Sequence, residues 1–167
     1  MGKIKPYQIT KSLAAAGNYA AEDVLSESAT AGTAWHFENI VSENGGTGKI
    51  HQVTAHCSTT ALTPRIVLYP FNISPVSGQF NDNVANTAVV DGDIRNVLCP
   101  PIDLPPMRDY GGDSESWATP STSGNLPVVF QCLNSSKDIY IIAVTKDAIT
   151  GEAVGMNLTL TFWIEEL

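Results

Sequence analysis

Three histidines, His36, His51 and His56, and three cysteines, Cys57, Cys99 and Cys132, are the residues best suited to hold a metal or act as nucleophiles. Their spacing decides whether they can. A zinc site needs ligands that converge on one point. His51 and His56 are five positions apart, so on a strand they point to opposite faces unless a bulge intervenes. His36 is the only other histidine, and no zinc site is expected. Cys57 and Cys132 sit inside apolar alternation and read as buried, reduced thiols. The odd cysteine count and the lack of Cys-x-x-Cys argue against a disulfide framework, leaving a Cys57–Cys132 bridge between facing sheets as the alternative.

Gly45-Gly46-Thr47-Gly48-Lys49 has the look of a phosphate loop, but Glu43 stands where its first glycine belongs and Ile50 where Ser or Thr must follow the lysine. The segment reads as a hairpin turn. Ser114 and Ser116 lie in an acidic stretch that would oppose an alkoxide, and no Gly-x-Ser-x-Gly elbow is present. Asp109, Asp113 and Glu115 offer oxygen ligands for Ca²⁺, and Asp91-Gly92-Asp93 falls short of a calcium-loop pattern. A plain solvated loop accounts for the three acids equally well. No catalytic, cofactor-binding or metal-binding residue is therefore assigned, and no cofactor or enzymatic activity is expected.

The elements that would position these residues are strands. Val, Ile and Thr number 13, 13 and 15 among 167 residues, a quarter of the chain that is stiff at χ1 and favours pleated structure. Period-two alternation is clearest over residues 157–165, with Leu158, Leu160, Phe162 and Ile164 inward and Thr159, Thr161 and Trp163 outward. It recurs over residues 49–58, where Val53, Ala55 and Cys57 oppose Gln52, Thr54 and His56. Residues 139–144 are apolar on both faces, as a central strand covered on two sides should be. Pro6 marks residues 3–11 as an edge strand. Over residues 33–41, Trp35, Phe37 and Asn39 share one face and His36 and Ile40 the other. Tyr19, Val24 and Leu25 are expected anchors, residues 94–99 a short strand, and residues 11–16 at most a helical turn. Residues 100–127 hold six of the ten prolines and three glycines and read as a long loop. The expectation is all-β: one domain over residues 1–167, an antiparallel β-sandwich of jelly-roll type.

Charge narrows the partners. Nine basic residues face 17 acidic ones, a net of −8, with no basic cluster. Nucleic acid and anionic membranes are thus poor partners. No apolar run approaches the roughly 20 residues that span a bilayer. Residues 1–6 lack the apolar segment of a signal peptide, and Pro6 breaks a myristoylation signal. Synthesis in a reducing cytoplasm is expected, and the sequons at Asn72, Asn134 and Asn157 then carry no meaning.

The order of several motifs carries a resemblance. Tyr19-Ala20-Ala21-Glu22-Asp23-Val24-Leu25 precedes Trp35-His36-Phe37-Glu38-Asn39-Ile40. Gly48-Lys49-Ile50-His51-Gln52-Val53-Thr54 and Arg65-Ile66-Val67-Leu68-Tyr69-Pro70-Phe71 follow, then Phe80-Asn81-Asp82-Asn83, and near the end Leu158-Thr159-Leu160-Thr161-Phe162-Trp163. This series resembles small virion structural proteins of tailed bacteriophages over roughly residues 18–165. The resemblance implies a capsid decoration, or cement, protein that binds the major capsid protein lattice, is located in the virion and assembles as a homo-oligomer, with a trimer favoured. It carries no catalytic residues. Lys3, Lys5 and Lys11 of the first strand could meet an acidic capsid surface, or could simply be solvated. The alternative is a carbohydrate-binding or receptor-binding module of a fibre or tail. Such a module would gather exposed aromatics, for which Trp35, Trp117, Trp163 and Tyr110 are the candidates. The partner-binding residues are otherwise unknown from sequence.

Overall fold

The computed structural model describes residues 2–14, 18–59, 64–75, 80–86, 96–120, 125–150 and 156–167. Among them are ten strands and no helix: β1 (Ile4–Ser12), β2 (Trp35–Phe37), β3 (Thr47–Cys57), β4 (Ile66–Phe71), β5 (Ile102–Asp103), β6 (Arg108–Asp109), β7 (Ser114–Ala118), β8 (Val128–Gln131), β9 (Ile139–Thr145) and β10 (Asn157–Glu166). Lys11 and Ser12 belong to β1, and the Leu13 and Ala14 amides donate to the Met156 and Ser26 carbonyls, so residues 11–14 form no helical turn. Residues 15–16 and 94–95 and Asp91-Gly92-Asp93 lie outside the described residues.

The strands form two antiparallel sheets, β1-β10-β3-β7-β6 and β2-β9-β4-β5, with β8 pairing the first half of β3. With the short β6 and β8 set aside, eight strands pair first with last (β1–β10), second with seventh (β2–β9), third with sixth (β3–β7) and fourth with fifth (β4–β5). That pairing is one long eight-stranded hairpin. Rolling it around a core brings β10 beside β3 and β9 beside β4, and both pairings are present. The fold is a jelly roll.

Alternation fills the space between the sheets. Leu158, Leu160, Phe162 and Ile164 of β10 and Val53, Ala55 and Cys57 of β3 are all buried. They meet Trp35, Phe37, Ile66, Leu68, Ile139, Ile141 and Ala143 of the other sheet. Phe37 and Phe162 touch edge to face across the gap, ring centroids 4.8 Å apart, a geometry the ring quadrupoles favour. β9 is buried on both faces: Ile142 and Val144 join Val24 and Phe71 in a second cluster on the outside of its sheet, with Tyr69, Phe80 and Tyr140 against it. Tyr19, Val24 and Leu25 are buried as expected. β1 forms the sheet edge, with Pro6 opposite Trp163.

Four local expectations are corrected. The segment 100–127 contains β5, β6 and β7. Its proline pairs separate short strands, and β7 supplies five residues beside β3. The glycine-rich turn before β3 is no hairpin, because β2 and β3 lie in different sheets. Turn residues mark a reversal but do not say which sheet receives the chain. Gly45 takes φ +73° there, and at Gly48 a Cβ would lie 2.5 Å from the Phe130 ring. Ile40 is buried with Trp35 and Phe37 rather than opposite them, since Asn39 at φ +52° breaks the alternation. Finally, Trp163 pairs with Gln52 but Ile164 with Ile50, so His51 is the extra residue of a β-bulge.

Candidate functional site

The bulge places His51 and His56 on the same, outer face of the first sheet, contrary to the simple alternation. His51 lies 2.8 Å from Glu165, and His56 3.3 Å from Asp113. About 17 Å of strand separates them, so they do not converge. His36, on the other sheet, lies 3.2 Å from Asp138 and stacks on Tyr140. Each histidine thus faces a carboxylate of its own. Among the described residues no group of three or more His, Cys, Asp or Glu could hold a metal ion.

The candidate nucleophiles face inward. Ser114 and Ser116 are buried, and Ser116 Oγ donates to the Pro105 carbonyl. None of the three cysteines is in a disulfide, and all are buried. Burial pushes Cys99 up to about 12; burial and then the charge of Asp138 push Cys132 up to about 11. Both remain protonated at neutral pH and are poor nucleophiles. Asp109 accepts from the Gly111 amide in the β6–β7 turn, where Tyr110 N donates to the Asp113 carbonyl. The turn aligns these acids with the chain reversal rather than around a common centre. Lys11 points inward: its side chain is only 10% exposed and lies 2.6 Å from Glu27, so of these three lysines only Lys3, just before β1, and Lys5 are available to a partner surface.

The aromatic candidates separate clearly. Trp35 is 1% exposed and donates its indole N–H to the Leu25 carbonyl, which removes it from the candidate site. Trp117, Trp163 and Tyr110 are 36%, 37% and 55% exposed. The structure brings Trp117 and Trp163 to one groove on the open face of the first sheet. Register builds it from two adjacent rows: Pro6, Trp163 and Gln52, then Gln8, Thr161, Thr54 and Trp117. The groove has a volume of about 570 Å³ and also includes Glu115. By strand spacing and rise, Trp117 stands about 12 Å diagonally from Trp163, two strands across and two residues along.

Hydrogen bonds hold the walls. Gln8 Nε2 donates to Thr161 Oγ1 at 3.1 Å, and Trp117 Nε1 donates to Glu115 Oε1 at 3.1 Å. Tyr110 meets Trp117 edge to face, with centroids 6.2 Å apart. Beyond Trp117 lies a second recess of about 220 Å³, lined by Pro105, Pro106 and Arg108 among others. Trp117 therefore stands as a partition between two concavities. The strand origin of Trp117 and the polar members Gln8, Gln52, Thr54 and Thr161 went unassigned from sequence. Their signal was present as uncharged outward positions on three strands, where a merely solvated face ordinarily carries Lys and Glu.

No family model matches the sequence, and no curated protein matches it. Among solved structures, a chain of the acidic stable capsid of Helicobacter pylori bacteriophage KHP30 overlaps 100% of this chain and 90% of its own length, at 10% identity and a TM-score of 0.35. The semi-empty virus-like particle of Macrobrachium rosenbergii nodavirus gives 10% identity, 99% and 94% coverage and a TM-score of 0.32. Sacbrood virus of honeybee in expansion state I gives 14% identity, 99% and 86% coverage and a TM-score of 0.32.

Proposed function

We propose that this chain is a non-enzymatic structural protein of a virion, and specifically a decoration protein seated on a phage major capsid protein lattice. The observation that carries the reading is the strand order, the rolled eight-stranded hairpin of β1-β10-β3-β7 over β2-β9-β4-β5, an architecture suited to capsid building blocks. The ordered motifs that resemble small phage virion proteins support it. Two of them meet inside the fold, through the hydrogen bond from Tyr19 to Asp82.

A shell component needs a rigid body and an interface, and no reactive centre. The two sheets supply the body, closed on each other around one large core cluster. The net charge of −8 suits a protein arrayed at high density, since it keeps copies soluble and away from packaged nucleic acid. In this reading the protein is made in the host cytoplasm, where buried reduced thiols persist. It then docks as a homo-oligomer, a trimer matching the local three-fold positions of a lattice.

Docking is tested by adding purified protein to purified, undecorated capsids and measuring co-sedimentation, with sedimentation velocity on the free protein. Saturable binding at a fixed ratio to the capsid protein, with a trimer free in solution, is the expected result. No binding to capsids at any protein concentration overturns the decoration role.

A further inference from the structure

We infer that the groove between Trp117 and Trp163 is a binding site for a neutral oligosaccharide. The inference does not depend on the virion role, since it rests on the chemistry of one sheet face.

The groove combines exposed aromatic rings with neutral polar side chains. Its two ends are tryptophans, each about a third exposed, held on strands two places apart in one sheet rather than on loops. Gln52, Thr54 and Thr161 lie between them and Gln8 flanks them on β1, together two amides and two hydroxyls. A pyranose ring has the complementary surface: an apolar face of C–H groups that stacks on an aromatic ring, and an equatorial rim of hydroxyls that both donate and accept. Amide and hydroxyl side chains do the same. An apolar peptide segment would leave these polar groups desolvated and unpaired, at a cost.

Charge selects among hydroxyl-rich ligands. Glu115 is the charged residue lining the groove, and it sits on a chain of net charge −8. An acidic sugar or a phosphorylated ligand would meet repulsion and, among the described residues, no cation lining the groove. A neutral glycan meets none, and the Glu115 carboxylate can accept from a sugar hydroxyl.

Geometry sets the size. The two tryptophans sit at backbone positions about 12 Å apart with β3 between them, a span longer than one sugar ring, so the site fits a short oligosaccharide lying diagonally across the strands. Little ordering is required on binding. The hydrogen bond to Glu115 and the contact with Tyr110 fix the orientation of Trp117, and Gln8 is tied to Thr161. Preorganisation of this kind lowers the entropic penalty of association.

The test is a panel of neutral and acidic oligosaccharides screened against the intact protein, followed by calorimetric titration of the best ligand. Trp117→Ala, Trp163→Ala and Gln52→Ala are compared by the same titration, after circular dichroism and thermal melting establish that each is folded. The expected result is binding of a neutral oligosaccharide longer than one sugar. Each tryptophan variant should then weaken it by about tenfold or more, and Gln52→Ala by less. The inference is overturned if no neutral glycan binds, if only acidic glycans bind, or if binding is unchanged in both tryptophan variants. A change of oligomeric state in the tryptophan variants without any glycan binding also overturns it, and identifies the face as a contact between copies of this chain.

Discussion

The Tyr19 hydroxyl donates to the Asp82 carboxylate at 2.8 Å, in the interior and across 63 positions of sequence. The other carboxylate oxygen of Asp82 accepts from the Ser26 amide at 2.6 Å. Asp82 is 1% exposed, so these bonds satisfy both of its carboxyl oxygens away from water. Together they fasten residues 80–86 to the segment carrying Tyr19, Val24 and Leu25, beside Val144 of β9.

Removing the acceptor should therefore be costly. Asp82→Ala leaves the Tyr19 hydroxyl and the Ser26 amide without their buried acceptor, and should destabilise the fold by about 3 kcal/mol; Tyr19→Phe should lose about 1–2 kcal/mol. Urea denaturation measures both. A change below about 0.5 kcal/mol for Asp82→Ala would show that the bond is unimportant to stability.

Gly48 should tolerate no side chain. A Cβ there would stand 2.5 Å from Phe130, whose ring is buried over the strand. Gly48→Ala should cost about 2 kcal/mol by overpacking. Phe130→Leu in the same chain should recover part of that loss, so a double-mutant cycle gives a coupling of opposite sign to the single effects. Additive losses would contradict the packing explanation.

Acid should weaken the fold in a definite window. Burial raises the Glu27 carboxyl, but hydrogen bonds from Lys11, Thr33 and Ser26 outweigh it and bring the group down to about 2. Its folded value lies below its ordinary value of 4.5, so its stabilising contribution is present above pH 4.5 and is lost as pH falls toward 2. Asp138 is also lowered: burial opposes this, and the Asn39 amide and His36 overcome it. Denaturation midpoints should fall steadily between about pH 4.5 and 2. Glu27→Gln should flatten that fall while lowering stability at pH 7, and an unchanged slope in this variant would rule out Glu27 as a source.

The thiols should be silent. Cys57, Cys99 and Cys132 are buried, and burial holds the latter two protonated. The native protein should not react with a thiol-specific chromogenic reagent at pH 8, whereas urea should release three reactive thiols per chain. Rapid labelling of the native form would contradict the placement of these residues.

The sheets were legible in sequence where one face is buried. Leu158 to Ile164 and Val53 to Cys57 alternate cleanly because a one-residue slip would expose the core. The double-sided burial of β9 was legible differently, as an apolar run without alternation. What escaped was non-local. β7 hides among prolines and acids because strand composition is a weak signal beside a partner strand that supplies its hydrogen bonds. The bulge at His51 is visible only through its register with Trp163 and Ile164. The groove escaped because Trp117 and Trp163 become neighbours only through β3, and Trp35 has nothing in its local pattern to separate it from them.

The central claim, a virion structural role, is tested most directly by quantitative mass spectrometry of purified virions from the source that encodes this chain, measured against the major capsid protein. The account predicts a copy number comparable to that of the capsid protein. Absence of the chain from purified particles would contradict it.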